Sequence, residues 1–156
     1  MMIGGEHLVT FGAFKEVFKK YPDVHIIHFD AHTDLRNDYL GVELSHACVI
    51  RRCHDLVGDG RIHQFVIRSG DRSEFKWAEE GHTELHKFNF DGLEECVEKL
   101  SGKNVYFTID LDVMDPSIFP GTGTPEAGGV GFLDLLDAIR KVCDKCNIVG
   151  CDVKPY

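Results

Sequence analysis

Apolar residues recur along the chain in two rhythms that take turns. Five short runs are almost continuously apolar: VHIIHF (24–29), IHQFVIR (62–68), LHKF (85–88), NVYFTI (104–109) and NIVGCDV (147–153). Each has the length of a strand, and unbroken apolar character is what a strand buried on both faces shows. Between them apolar side chains return at helical spacing. LVTFGAFKEVFKKY sets Phe11, Phe14, Val17 and Phe18 toward one side, and SHACVIRRCHDL, SEFKWAEE, DGLEECVEKL and GFLDLLDAIRKVC follow, with Asp91 expected to cap the fourth. Strand and helix alternate, which predicts an α/β fold: a mostly parallel sheet covered by helices. In such sheets ligands gather at the carboxyl ends of the strands.

A chain of 156 residues is expected to form one domain, spanning 1–156. Its first residues, MMIGGEH, read as the last part of a strand, and it stops at CDVKPY straight after another strand, so that domain is expected to be truncated at both ends. A hydrophobic content of 43% with 28% charged residues belongs to a globular protein. The net charge is −9 and no face collects Lys and Arg, which points away from nucleic acid and anionic lipid as partners. No apolar run approaches the roughly 20 residues that span a bilayer, and no leader pattern opens the chain. A cytoplasmic protein without a membrane partner is expected. The six cysteines then stay reduced, and Cys143 and Cys146 have C-x-x-C spacing without a second pair to complete a zinc set.

The chemistry concentrates where strands end. In DAHTD, after the second strand-like stretch, Asp30, His32 and Asp34 alternate and would point one way if the strand continued. TIDLDVMD places Asp110 and Asp112 two apart at another strand end, and His7 follows two glycines that allow a tight turn. Any one of these acids could simply cap a turn. Together they would repel and desolvate one another, with no Lys or Arg inside DAHTD or DLD to compensate. Divalent cations resolve that conflict, and two ions sharing carboxylates use this many ligands better than one. Oxygen-rich donors with a minority of imidazole favour manganese, iron or magnesium over zinc, manganese first. Two such ions activate water for hydrolysis. The Pro- and Gly-punctuated DPSIFPGTGTPEAGG (115–129) reads as a rigid connection that also walls the pocket. Arg36, just behind DAHTD, is expected to be solvated or paired outside the site.

GGEH, DAHTD, TIDLDVMDPSIFPGTGTPEAGG and the strand-end GCD, in this order and across essentially the whole chain, resemble the ureohydrolases: arginase, agmatinase, formiminoglutamase and relatives. GTGTPE tilts the resemblance toward agmatinase. It implies a three-layer α/β/α sandwich and two Mn2+ ions, the first held by His7, Asp30, Asp34 and Asp110, the second by His32, Asp30, Asp110 and Asp112. Asp30 and Asp110 would bridge and so take part in catalysis. It further implies attack of a metal-bridging hydroxide on the guanidinium carbon of a small guanidino substrate, agmatine first, releasing urea and an amine. His46 in LSHAC matches the region of a proton-shuttling His, a role that suits a group titrating near neutrality, although a buried hydrogen-bonding His reads equally well. His25, His28, His54, His63, His82 and His86 receive no role. The family places a guanidinium-binding Glu a few residues beyond the GCD strand, where this chain reads DVKPY, and it forms homo-oligomers. The alternatives are a catalytically silent metal-binding fragment, another amidinohydrolase such as formiminoglutamase, arginase or guanidinobutyrase, or a zinc deacetylase on a related scaffold, against which the paired DLD and GGEH argue.

Overall fold

Both rhythms fold as read. In the computed structural model, which describes residues 1–155, the strands are β1 (Met2–Ile3), β2 (His25–Phe29), β3 (Ile62–Ile67), β4 (Glu84–Lys87), β5 (Asn104–Asp110) and β6 (Asn147–Lys154). The helices are α1 (Val9–Lys20), α2 (Val49–Val57), α3 (Arg72–Trp77), α4 (Leu93–Lys99) and α5 (Phe132–Lys145). Tyr156, the last residue of DVKPY, lies outside the described residues. The strands form one sheet in the order β1-β6-β5-β2-β3-β4, and every pairing is parallel.

Alternation along the central strands sorts side chains into two cores, one on each face, which makes the sandwich three-layered. Ile27, Phe29, Val105, Phe107 and Ile109 pack with Leu93, Val97, Leu135 and Val142 of α4 and α5. Phe29 at the centre meets Phe65 and Phe107 edge-on, with ring centroids 5.9 and 4.8 Å away. On the other face Ile26, Ile62 and Tyr106 pack with Phe14 of α1 and with Val49, Ile50 and Cys53 of α2. That second face turns polar toward the strand ends: His28, Gln64, Thr108 and Asp152 are all buried there.

Two local expectations need correction. Asp91 does not cap α4. Gly92 holds the N-cap position with φ +84, and the Asp91 carboxylate instead accepts a hydrogen bond from Asn89 Nδ2. The SEFKWAEE helix ends at Trp77 and continues as a wide turn over Ala78–His82, where Gly81 at φ +100 breaks the helical path. No helix among the described residues is long and apolar enough to cross a membrane.

Candidate metal centre

The site forms where β6, β5, β2 and β3 end. The backbone N–H of Gly4 donates to Val153 O of β6, and the chain then turns through Gly4 and Gly5 at φ +96 and +78. A side chain on Gly5 would be strained by that conformation and would meet Val9 Cγ1 at 3.2 Å. The turn swings His7 beneath the strand ends, where it is 2% exposed.

DAHTD does not converge by strand alternation. The strand stops at Phe29, and the segment that follows is irregular, tied to the sheet by one bridge between His32 and Ser69. Asp34 sits at φ +52, an uncommon region for a non-glycine residue. Its carbonyl accepts the N–H groups of Ile50 and Arg51 at 3.1 and 3.2 Å, which fastens this conformation to the first turn of α2. Asp110 closes β5, and its Oδ1 accepts the Asp112 N–H at 3.0 Å, folding Asp112 back in a short 3-10 turn.

Two ligand groups result, and Asp30 belongs to both. On one side His7 Nδ1 lies 3.1 Å from Asp30 Oδ2 and 2.9 Å from Asp34 Oδ2. On the other, His32 Nδ1 lies 2.9 Å from Asp112 Oδ2 and 3.4 Å from Asp30 Oδ1. Asp30 thus turns one oxygen to each group. Asp110 is buried beside them, 3.9 Å from His7 Nδ1, and belongs to neither tight group.

Residues without an assigned role set the two inner ligands. Gln64 Nε2 donates to Thr33 O at 2.8 Å, which fixes the amide's orientation, so the same nitrogen donates to His28 Nδ1 at 3.0 Å. His28 therefore carries its proton on Nε2 and donates it to Asp30 Oδ2 at 2.8 Å. Similarly, Thr108 donates to Asp152 Oδ1 at 2.7 Å and so accepts from His7 Nε2 at 3.0 Å, which leaves Nδ1 facing the carboxylates. Asp152 also accepts from Tyr106 at 2.5 Å and from the fully buried Lys154 at 3.1 Å, and Lys154 reaches on to Thr10. The strand-end GCD thus supplies a support for His7. Arg36 pairs outside the ligand groups, with Asp71 at 2.9 Å.

Charge shows what the site lacks. Among the described residues no Lys or Arg pairs with Asp30, Asp34, Asp110 or Asp112; their ion-pair partners are all histidines. Burial, then the charges of Asp30 and Asp112, push the Asp110 carboxyl up to about 9, and burial and Asp30 push Asp112 to about 7. Burial opposes charge on Asp30 too, but His28, His32 and His7 together outweigh it and hold that carboxyl well below the usual range. Burial would depress His32, yet Asp112 and Asp30 raise it to about 11. His7 Nδ1 is buried and in hydrogen-bonding line with no partner, although two carboxylate oxygens lie close. With its proton on Nε2, His7 turns the Nδ1 lone pair toward two carboxylate oxygens, a contact that a cation between them relieves, so these residues fit divalent metal.

The ligands floor a cavity of about 380 Å3 whose wall includes Glu6, His46, Gly123 and Thr124. The 115–129 loop does form part of that wall. Arg68 holds it there, donating to Asp112 O at 2.6 Å and Glu126 O at 2.9 Å from one nitrogen and to Ala127 O at 3.2 Å from another. Glu126 in turn accepts from Ser69 at 2.8 Å and stands 3.8 Å from His32 Nε2. His46 is half-exposed at the rim, with Nδ1 3.8 Å from Glu6 Oε2.

The Arginase family model matches residues 1–154. The chain belongs to the arginase family. It is 50% identical over 153 residues to an agmatinase of Bacillus cereus, covering 97% of this chain and 53% of that protein. An agmatinase of Bacillus subtilis is 47% identical, covering 98% and 53%. A crystal structure of a putative agmatinase from Clostridium difficile superposes with a TM-score of 0.95 at 55% identity, covering 98% of this chain and 56% of that one. This arginase-family chain therefore spans about half the length of the curated relatives it matches. Its parallel sheet with helices on both faces is the arginase-like fold.

Proposed function

We propose that this chain carries the dinuclear cation site of a ureohydrolase that cleaves a small guanidino compound, agmatine first, into urea and an amine. With agmatine the amine is putrescine, a polyamine. The observation that carries the reading is Asp30, whose two oxygens face two separate His-carboxylate groups in one pocket. His7, Asp30, Asp34 and Asp110 would hold one ion, and Asp30, His32, Asp110 and Asp112 the other. The oxygen-rich donor set favours manganese. Ions held there supply Lewis acidity and lower the pKa of a water for attack on carbon.

The remaining work falls to the chain's own groups. Glu6 at the wall, which holds no ion, gives the cavity rim the negative charge that draws a guanidinium in. His28 and Thr108 keep Asp30 and His7 from turning away. His46, open to solvent and with Glu6 near its ring, can hand a proton to the departing amine and recover it from bulk water. All six cysteines are unbonded thiols, which suits a reducing cytoplasm.

The test is urea release from agmatine after loading with Mn2+, alongside arginine and guanidinobutyrate, with formamide release followed for formiminoglutamate. Urea is expected with agmatine and should vanish in Asp110→Asn. If two ions bind per chain and no guanidino compound yields urea, the chain is a metal-binding protein without this activity. Bound zinc with deacetylation would point to the other chemistry.

A further inference from the structure

We propose a second divalent-cation site, away from the acidic pocket, formed by His54, Asp59 and His82. His54 lies in the last turn of α2, Asp59 in the Gly58-Asp59-Gly60 turn that leads into β3, and His82 at the end of the wide turn before β4. All three precede the amino ends of β3 and β4, whereas the pocket takes its residues from carboxyl ends. A six-residue strand such as β3 separates the two ends by about 20 Å.

The three side chains converge on one point. His54 Nε2 lies 2.8 Å and His82 Nδ1 2.7 Å from the same oxygen, Asp59 Oδ1. The rings are held in place before any ligand arrives. His82 stacks on the Trp77 indole with centroids 4.4 Å apart and planes 16° apart, and His54 meets the same indole edge-on at 4.6 Å. Arg51 lies over the Trp77 ring at 3.9 Å and pins it from outside. Two fixed imidazoles facing one carboxylate are a preorganised three-ligand set.

A cation at ordinary Zn–N and Zn–O distances of about 2.0–2.2 Å needs its ligand atoms slightly farther apart than these contacts. Asp59 can yield. Its side chain is 63% exposed, and it stands between two glycines at φ +75 and +74. An ion there would replace the hydrogen bonds that two imidazoles now direct at one oxygen. Two imidazoles with one carboxylate suit zinc, nickel or copper better than the hard ions of the acidic pocket, and three protein ligands leave a position for water. The ion would clip the end of α2 to the turn before β4. The proposal stands apart from the ureohydrolase reading, since none of its ligands lines the pocket.

Trp77 is the chain's single tryptophan and supplies the readout. The chain, held in excess Mn2+ so that the acidic pocket is filled, is titrated with Cu2+ while indole fluorescence is followed. Quenching should saturate at one equivalent, and Zn2+, which does not quench, should reverse it. Asp59→Asn and His82→Gln should both lose the saturable quench and the rise in Tm that Zn2+ gives the parent, while Asp110→Asn keeps them. Circular dichroism without added metal shows whether each variant folds as the parent does, and His54→Gln replaces any that does not. A quench that never saturates, that survives in the Asp59 and His82 variants, or that disappears only in Asp110→Asn overturns the site.

Discussion

Asp110 keeps its proton up to about pH 9 in the cation-free protein, while His32 holds one up to about pH 11, so both are protonated at pH 7. A cation needs both atoms bare, and binding must expel those protons. The sign follows: the raised carboxyl and the raised imidazole each oppose metal at low pH, so affinity rises with pH until these groups ionise unaided. Titrating Mn2+ at pH 7 by calorimetry in buffers of different ionisation enthalpy should show proton release, and release of none would remove the coupling. His28 permits a sharper cut. It hydrogen-bonds to no cation ligand except Asp30, to which it donates at 2.8 Å, and its ring packs on His7 with centroids 5.1 Å apart; Phe at this position keeps that ring contact while losing both nitrogens. Loss of such an outer partner costs about 10–100-fold in metal affinity. His28→Phe should therefore retain the fold and weaken Mn2+ by that factor in a chelator competition; unchanged affinity would show that Asp30 is oriented without it.

The elements differ in how they hold the site, and the 115–129 loop depends on one side chain. Arg68 reaches carbonyls of Asp112, Glu126 and Ala127 with its planar fork, and the loop's Gly129 packs so tightly that an added Cβ would meet Asp115 N at 2.5 Å. A lysine is a point charge on a flexible stem and cannot serve that many acceptors in these directions. Arg68→Lys should destabilise the protein by at least about 1.5–3 kcal/mol, the worth of one charge-assisted bond. Amides of 115–129 should exchange faster in deuterium, with those of β2 and β5 unchanged; equal exchange in the loop would refute the clasp. Nothing in sequence marks Arg68, a lone basic residue after a strand. The central strands β2, β3 and β5, by contrast, are legible to within a residue or two, because burial on both faces leaves nearly unbroken apolar runs. Gln64 and His28 interrupt those runs, and an uncompensated polar group in a buried strand is the signal that exposes the network. The ligands are legible as types and spacing, but strand alternation does not bring them together: Asp34 arrives through a left-handed turn whose carbonyl caps α2.

At the scale of the molecule, four of the six buried carboxylates crowd one site in a chain of net charge −9, which makes the folded state dependent on what neutralises them. The unfolded chain offers these ligands no common geometry, so cations bind the folded state in preference and stabilise it by mass action. One ion at a hundredfold excess over its dissociation constant adds about 2.7 kcal/mol. For a domain of this length each kcal/mol moves Tm by about 2–4 °C, so one ion should raise it by roughly 5–10 °C. The ligands come from the GGEH turn, from DAHTD and from the end of β5, and Asp30 links both groups, so the gain should appear across one transition rather than in a local segment. The measurement is a thermal melt followed by far-UV circular dichroism, after chelation and after stepwise addition of Mn2+. The melting temperature should climb with the logarithm of Mn2+ concentration, and much less in Asp110→Asn. Melts that coincide with and without Mn2+ would mean that the histidines alone neutralise the cluster and that the strand ends are not built around a cation.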